Sequence, residues 1–109
     1  MKAQIRGNAV FFICPGCAEV ESSVGVSIMN GLKRIPFQGD EPGPKWTFNG
    51  SEDRPTLAPS LLTRFTYEGR EVVCHSFVRD GSIEFLGDCT HSLRGQTLPL
   101  ADFPQEIFS

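Results

Sequence analysis

The chain alternates short apolar runs with turns that contain glycine or proline. Runs of β-branched and aromatic residues bounded by such turns are typical of strands. The pattern therefore predicts strands over residues 9–14, 24–29, 61–67, 71–78 and 82–86, with shorter strands near 45–48 and 96–100. No stretch keeps a long 3.6-residue period, so the pattern predicts no helix.

Three of these runs follow one another with very short connections. Glu68-Gly69 separates the first run from the second, and Arg79-Asp80-Gly81 separates the second from the third. Glycine-containing turns between alternating runs predict antiparallel hairpins, and two successive hairpins make a three-stranded meander. The second loop has two or three residues, and the strand register depends on which number is correct.

Residues 34–59 break this regularity, since they contain five of the eight prolines. A long irregular loop in a small domain is often functional. Each proline disfavours helix at the residue before it, so we expect residues 54–60 to be extended. Trp46 lies in this region, either packed in the core or at the rim of a binding cleft.

Composition narrows the class of protein. The 109 residues are 39% hydrophobic and 21% charged, which predicts one globular domain spanning residues 1–109. Ten basic and thirteen acidic residues give a net charge of −3, which argues against a nucleic-acid partner. No apolar run approaches a membrane span and no signal peptide is recognised, so we expect a cytoplasmic protein with reduced thiols.

The cysteines and histidines supply the main chemical signal. All four Cys and both His fall in three short clusters: Cys14 with Cys17, Cys74 with His75, and Cys89 with His91. Thiolates and imidazoles are the ligands that zinc prefers, and a CxxC pair is a common half-site. The sequence therefore predicts a bound Zn²⁺ that joins the N-terminal segment to the meander. The expected fold is a small, mainly β domain with an antiparallel meander and a zinc knuckle.

Six candidates exceed the four ligands of a structural zinc site. Cys14 and Cys17 come first, His91 and Cys74 follow, and Cys89 and His75 complete the set. Neighbouring residues of a strand point to opposite faces, so at most one of Cys74 and His75 reaches a given metal. The alternative for Cys74 and Cys89 is ordinary packing in the core.

Two kinds of catalysis are compatible with these residues. A zinc-bound water would need a general base, and Asp88 is the nearest carboxylate, although it could equally orient His91. A metal-independent hydrolase would use Ser60 or Thr56 as nucleophile, a histidine such as His75 as base, and Asp88 to orient that base. Capping of turns beside the prolines is the alternative for the hydroxyls. A structural zinc module that binds a protein partner without catalysis stays open as well.

Several segments together resemble a known family: FxCPGC, WTFNG, RPTLAPSLL, CHSFVRDGSIEFLGDCTH and GQTLPL. The chain is similar from Phe12 to about Pro99 to small proteins of tailed phages and prophages of unknown function, which are often labelled "ammonia monooxygenase". The resemblance implies a phage or prophage protein in the cytoplasm of a bacterial host. Ala18 departs from the glycine that many CPxC knuckles carry at this position.

Related domains also occur beside bacterial ubiquitin-like conjugation genes. This context implies a peptidase or deconjugase whose partner or substrate is a ubiquitin-like protein. Carried over to this sequence, the role falls on Cys74, His75, Asp88 and His91, with residues 55–60 (PTLAPS) as a wall of the site.

Overall fold

In the computed structural model, which describes residues 1–23 and 31–108, the chain is mainly β and forms two antiparallel sheets. The first sheet has three strands in the order β1-β2-β3. Its strands are β1 (Gln4–Arg6), β2 (Ala9–Ile13) and β3 (Leu32–Pro36). Strand β2 pairs with both neighbours, and three of its five residues are buried.

The second sheet has five strands in sequential order, β4 to β8. Its central strands are long and its outer strands are short. The strands are β4 (Thr47–Phe48), β5 (Leu57–Tyr67), β6 (Arg70–Arg79), β7 (Ser82–Phe85) and β8 (Thr97–Pro99).

The predicted meander is confirmed as β5-β6-β7. Both connections are two-residue loops: Tyr67 pairs with Arg70 around Glu68-Gly69, and Arg79 pairs with Ser82 around Asp80-Gly81. All four loop residues have positive φ, between 50° and 80°. Positive φ at both loop positions is what a type I′ turn requires, and this turn matches the twist of the flanking strands. The two-residue alternative for the second loop is therefore correct.

Strand β5 is irregular near its start. Leu57 lies opposite Val78, but Leu61 lies opposite Ser76, so β5 uses two more residues than β6 over this interval. The peptide bond between Ala58 and Pro59 within this interval is cis. A bulge changes the direction of the side chains next to it. In β5, the side chain whose direction changes is that of Ser60.

The prediction that the chain has no helix is wrong. Helix α1 covers Pro15–Ser23 and begins inside the CPGC segment, and a 3-10 helix covers Gln105–Phe108. Pro15 is the first helical residue, where the missing N–H costs nothing because the first N–H groups of a helix have no partner within it. Strands β1 and β3 were not predicted either, and the strand predicted at 24–29 lies outside the described residues.

One hydrophobic core joins the two sheets. Its fully buried side chains include Val10 and Phe12 from the first sheet and Ile83 and Phe85 from the second. Trp46 is partly buried and packs against this core. Within residues 1–23 and 31–108, no helix has the length and apolar character to span a bilayer.

Candidate active site and thiol cluster

Two neighbouring residues of β6 serve two different sites. Cys74 points into the interior, where it is 4% exposed and contacts Cys14. His75 points to the opposite face and contacts Ser60 and Asp88. This is the alternation that a regular strand imposes on neighbouring side chains. Strand β6 therefore holds the sulfur and the imidazole on its two faces.

The imidazole of His75 bridges a hydroxyl and a carboxylate. Its Nε2 lies 3.0 Å from Ser60 Oγ, and its Nδ1 lies 3.0 Å from Asp88 Oδ2. These three residues come from β5, from β6 and from the segment after β7. The side chain of His75 is 24% exposed and that of Asp88 is 55% exposed, so the site is open to solvent.

Main-chain contacts hold each member of this arrangement in place. Trp46 donates its indole N–H to the carbonyl oxygen of Ser60 at 3.4 Å, just after the bulge in β5. The segment that carries Asp88 lies along β6, since the Leu86 N–H donates to the His75 carbonyl at 3.0 Å. Further along, the Thr90 N–H donates to the Val73 carbonyl at 2.9 Å. Asp88 is thus fixed between two points of attachment to β6.

Cys89 supports His75 and is not part of the thiol cluster. Its Sγ accepts a hydrogen bond from the His75 N–H at 3.2 Å and donates to the His75 carbonyl oxygen at 3.2 Å. The side chain is 3% exposed. A thiol is both a weak donor and a weak acceptor, so it can satisfy both groups of one residue. Cys89 therefore positions the main chain that carries the imidazole.

A serine, a histidine and an aspartate in this order of contacts form the arrangement of a Ser–His–Asp hydrolase. The imidazole Nε2 can take the proton of the serine hydroxyl as that oxygen attacks a carbonyl carbon. The carboxylate at Nδ1 fixes the tautomer and stabilises the imidazolium that forms. The same three contacts recur on unrelated folds and are recognised by geometry rather than by chain order.

Comparison with known families agrees with this class. The model of the family described as "Bacterial ubiquitination-like system serine protease (BubE)" matches residues 1–86, and the chain belongs to this family. Ser60 and His75 lie inside the matched range and Asp88 lies two residues beyond it. The match agrees with the ubiquitin-like context that the resemblance implied. No curated protein and no solved structure matches the chain.

A second cluster lies on the inner face of β6. Its members are Cys14, Cys17 and Cys74, all buried, with sulfurs within 4.8 Å of one another. Cys14 and Cys74 are 60 residues apart in sequence, yet their sulfurs lie 3.7 Å apart. All four cysteines of the chain are free thiols. The three thiols could hold a metal ion, as the sequence predicted for these residues.

The start of helix α1 brings two of these sulfurs together. Cys14 immediately precedes the helix, and its Sγ accepts a hydrogen bond from the Cys17 N–H at 3.4 Å. Its carbonyl oxygen accepts from the Ala18 N–H at 2.9 Å, as the first intrahelical bond. Cys14 is therefore the N-cap residue, and Cys17 is the third residue of the helix. The CPGC segment is therefore the start of a helix.

The three thiols share their protons unequally. The pKa of Cys17 is lowered to about 2, mainly by its hydrogen bond with Cys14 and next by its hydrogen bond with Cys74. The nearby Lys33 ammonium lowers it further. The hydrogen bond to Cys17 raises the pKa of Cys14 to about 12, and the bond to Cys14 raises the pKa of Cys74. Lys33 also donates to Thr63 Oγ1 at 2.7 Å, which holds it beside the cluster. Negative charge is thus concentrated on the Cys17 sulfur, and a thiolate is the form that binds metal.

The structure places His91 next to the cluster but does not include it in the group of three. Its ring is 4% exposed and packs edge-on against Phe85. Its Nδ1 accepts from the Leu93 N–H at 3.2 Å, and its buried Nε2 has no partner among the described residues. Burial lowers the pKa of His91.

The remaining candidates have other contacts. Thr56 Oγ1 accepts from the Asp80 N–H at 2.8 Å, which is the turn-capping alternative for this hydroxyl. Asp88 contacts His75 and makes no contact with His91.

A signal for the helix start was present in the sequence, since proline directly after a possible cap residue is typical of the first helical position. Pro59 was a signal for the irregularity that turns Ser60 towards His75, since proline within a strand is confined to edges and bulges.

Proposed function

We propose that the protein is a serine-type hydrolase in which Ser60 is the nucleophile, His75 the general base and Asp88 the residue that orients His75. The observation that carries this proposal is the pair of 3.0 Å contacts that His75 makes with Ser60 and Asp88. The family description names a serine protease, which supports the same chemistry. The zinc-dependent alternative is less well supported, because the thiol cluster lies on the other face of β6.

We infer that the substrate is a ubiquitin-like protein, cleaved at its C-terminus or released from a conjugate. The family description places the relatives in a bacterial ubiquitination-like system, and this context supports a protein substrate. Attack of Ser60 Oγ on the carbonyl would give an acyl-enzyme, while His75 passes the proton to the leaving amine. Water then releases the acyl group. We propose the bacterial cytoplasm as the compartment, which suits four free thiols.

Two measurements test the proposed activity. A fluorophosphonate probe should label the wild-type protein at Ser60, and Ser60→Ala should abolish the labelling. The wild-type protein should also cleave a ubiquitin-like protein of such a system from a reporter fused to its C-terminus. Thr56→Ala tests the other candidate nucleophile, and it should keep both signals because the Thr56 hydroxyl accepts from the Asp80 N–H and His75 contacts Ser60 instead. Equal labelling of Ser60→Ala and wild type would reject Ser60 as nucleophile.

We further propose that Cys14, Cys17 and Cys74 bind one Zn²⁺ with a structural role, and that the neighbouring His91, whose buried Nε2 has no partner among the described residues, supplies the fourth ligand. A Zn–S length of about 2.3 Å in a tetrahedron places the sulfurs about 3.8 Å apart. The Cys14–Cys74 separation of 3.7 Å agrees with this value. A zinc ion here would tie the start of helix α1 to the middle of β6. It would act on stability rather than on bond cleavage.

Metal content tests this second proposal. Plasma emission spectrometry on protein purified without added metal should find about one zinc per chain. Cys14→Ser should lose the metal, because it removes one of three thiolates. Cys89→Ser is the matched control, since Cys89 is equally buried but its sulfur contacts the main chain of His75, and it should keep the metal. Wild-type protein without zinc would contradict the proposal.

A further inference from the structure

We propose that the outer edge of β5, from Leu62 to Arg64, binds an extended segment of the protein substrate as an additional strand beside Ser60. The inference rests on the proposed hydrolase activity and specifies how its substrate is held. It assigns a binding role to main-chain groups that begin two residues after the nucleophile. It also names the chemistry of the occupant, an extended polypeptide with an apolar side chain near the scissile bond.

Among residues 1–23 and 31–108, β4 is the strand on this side of β5, and it covers only the first part of β5. Strand β4 has two residues, and they pair with Leu57 and Ala58. From Leu61 to Tyr67, the only strand that pairs with β5 within the described residues is β6. Seven residues of β5 therefore have one side without a neighbouring strand in the described part of the chain. An open edge presents N–H and C=O groups that a further strand can pair with.

The main-chain groups of β5 that face this edge can be deduced from the hydrogen bonds that β6 makes on its other side. The carbonyls of Val73 and His75 point away from β5, since they accept from Thr90 and Leu86. Val73 lies opposite Arg64, and His75 lies opposite Leu62. In an antiparallel ladder, the two residues of a non-hydrogen-bonded pair direct their N–H and C=O groups away from each other. Each of these two pairs is of this kind. The N–H and C=O groups of Leu62 and Arg64 therefore point outwards to the open edge.

An antiparallel segment can form two hydrogen bonds with each of these residues. Main-chain pairing of this kind supplies affinity for an extended peptide without reading its sequence. The first pair of bonds would form two residues from Ser60, so the carbonyl group to be attacked is brought to the hydroxyl. A flexible tail can take the extended conformation that such a strand requires.

Side chains of β5 add an apolar contribution. Leu62 is 54% exposed and lies opposite His75 on the same face, so it is next to the reacting groups. The charge of Arg64 is paired with Glu71 at 3.2 Å. The site thus favours an apolar substrate residue at Leu62 over a charged one.

Arg64→Pro tests the inference because proline removes the outward N–H and is tolerated at a strand edge. One hydrogen bond contributes about 0.5–1.5 kcal/mol, so kcat/KM on the ubiquitin-like fusion should fall roughly three- to tenfold. The loss should exceed any loss of fluorophosphonate labelling at Ser60. Thr97→Pro is the matched control, since Thr97 is exposed on the other edge of the sheet, two residues before Pro99. It should stay within about twofold of wild type on both substrates.

The outcomes separate the two levels of the proposal. Wild-type protein that is neither labelled nor able to cleave the fusion would overturn the hydrolase activity itself. Labelled wild-type protein that leaves the fusion uncleaved would overturn the substrate, and the edge inference with it. Two results with an active wild type would overturn the edge inference alone. In the first, Arg64→Pro lowers labelling and cleavage by the same factor. In the second, it lowers neither of them.

A second measurement covers the case in which Arg64→Pro does not fold. The inactive Ser60→Ala protein is mixed with excess ubiquitin-like fusion, and amide hydrogen exchange is followed residue by residue. The amides of Leu62 and Arg64 should exchange at least fivefold more slowly in the complex, while that of Thr97 stays unchanged. Unaltered exchange at Leu62 and Arg64 in a formed complex would overturn the inference.

Discussion

At the scale of single residues, His75 is fixed from three directions. Asp88 and Ser60 contact its two ring nitrogens, and Cys89 contacts its main chain. The sequence-based hypothesis named Ser60, His75 and Asp88, but within a list that favoured zinc chemistry. Pro59 signals an irregularity in β5, but the contact of Ser60 with His75 depends on pairing with β6, 15 residues later, which no local pattern encodes.

Asp88→Asn should lower kcat on the ubiquitin-like fusion by roughly four orders of magnitude. The amide of asparagine can donate to Nδ1 of His75, which places the ring proton on Nε2 and leaves no base for Ser60. Stopped-time assays of fusion cleavage measure the effect. Asp80→Asn is the control, since Asp80 lies in a turn and its carboxylate makes no contact with His75, and it should keep wild-type rates. Similar rates for both variants would show that Asp88 does not orient the base.

At the scale of secondary structure, the elements whose signal lies in a few neighbouring residues were predicted correctly. The two hairpins of the meander carry their signal in Glu68-Gly69 and Asp80-Gly81, and both form as expected. Helix α1 was missed because residues 15–23 have no clear apolar stripe. Strand β3 was missed in part because it ends at Pro36, in a region whose prolines suggested a loop. Its pairing with β2 overrides that local preference.

The contact between helix α1 and the segment after β7 predicts the effect of Gly16→Ala. A Cβ at Gly16 would lie 2.3 Å from His91 Nε2 and 2.8 Å from Phe85, both of which are buried. Overpacking of this kind should destabilise the protein by about 1–3 kcal/mol. Urea denaturation measures the change.

Gly87→Ala is the control for this variant. Gly87 has nothing within 4 Å of an added Cβ and does not have a positive φ. The free energy of unfolding of the Gly87→Ala protein should stay within about 0.5 kcal/mol of the wild-type value. If Gly16→Ala were as stable as Gly87→Ala, the helix would not be packed as closely as the structure shows.

At the scale of the whole molecule, the thiol cluster joins parts of the chain that are far apart in sequence. Cys14 and Cys17 lie at the start of α1, and Cys74 lies in the middle of the second sheet. The sequence predicted this long-range connection because sulfur ligands have a defined chemistry wherever they occur in the chain. It left open which of Cys74 and His75 faces the interior, since that depends on the register of β6.

Removal of metal should therefore lower stability before it lowers activity. With excess phenanthroline, the thermal midpoint should fall by several degrees, because the proposed ion binds only the folded state. Below that midpoint, fluorophosphonate labelling of Ser60 should persist. Calorimetry and labelling at 15 °C measure the two effects, and Cys14→Ser should not respond to the chelator. Loss of labelling with an unchanged midpoint would instead favour a zinc-dependent hydrolase.

The adjacency of Cys74 and His75 also limits how the gene can change. If β6 slipped by a single residue against its neighbours, the imidazole would enter the interior among the sulfurs, and the thiol would face Ser60. Both sites would be lost in one event, although every chemical group was still present. We therefore expect natural insertions and deletions to avoid β6 and its two turns, and to accumulate in the proline-rich segment between β3 and β5, where a change of length leaves this alignment intact.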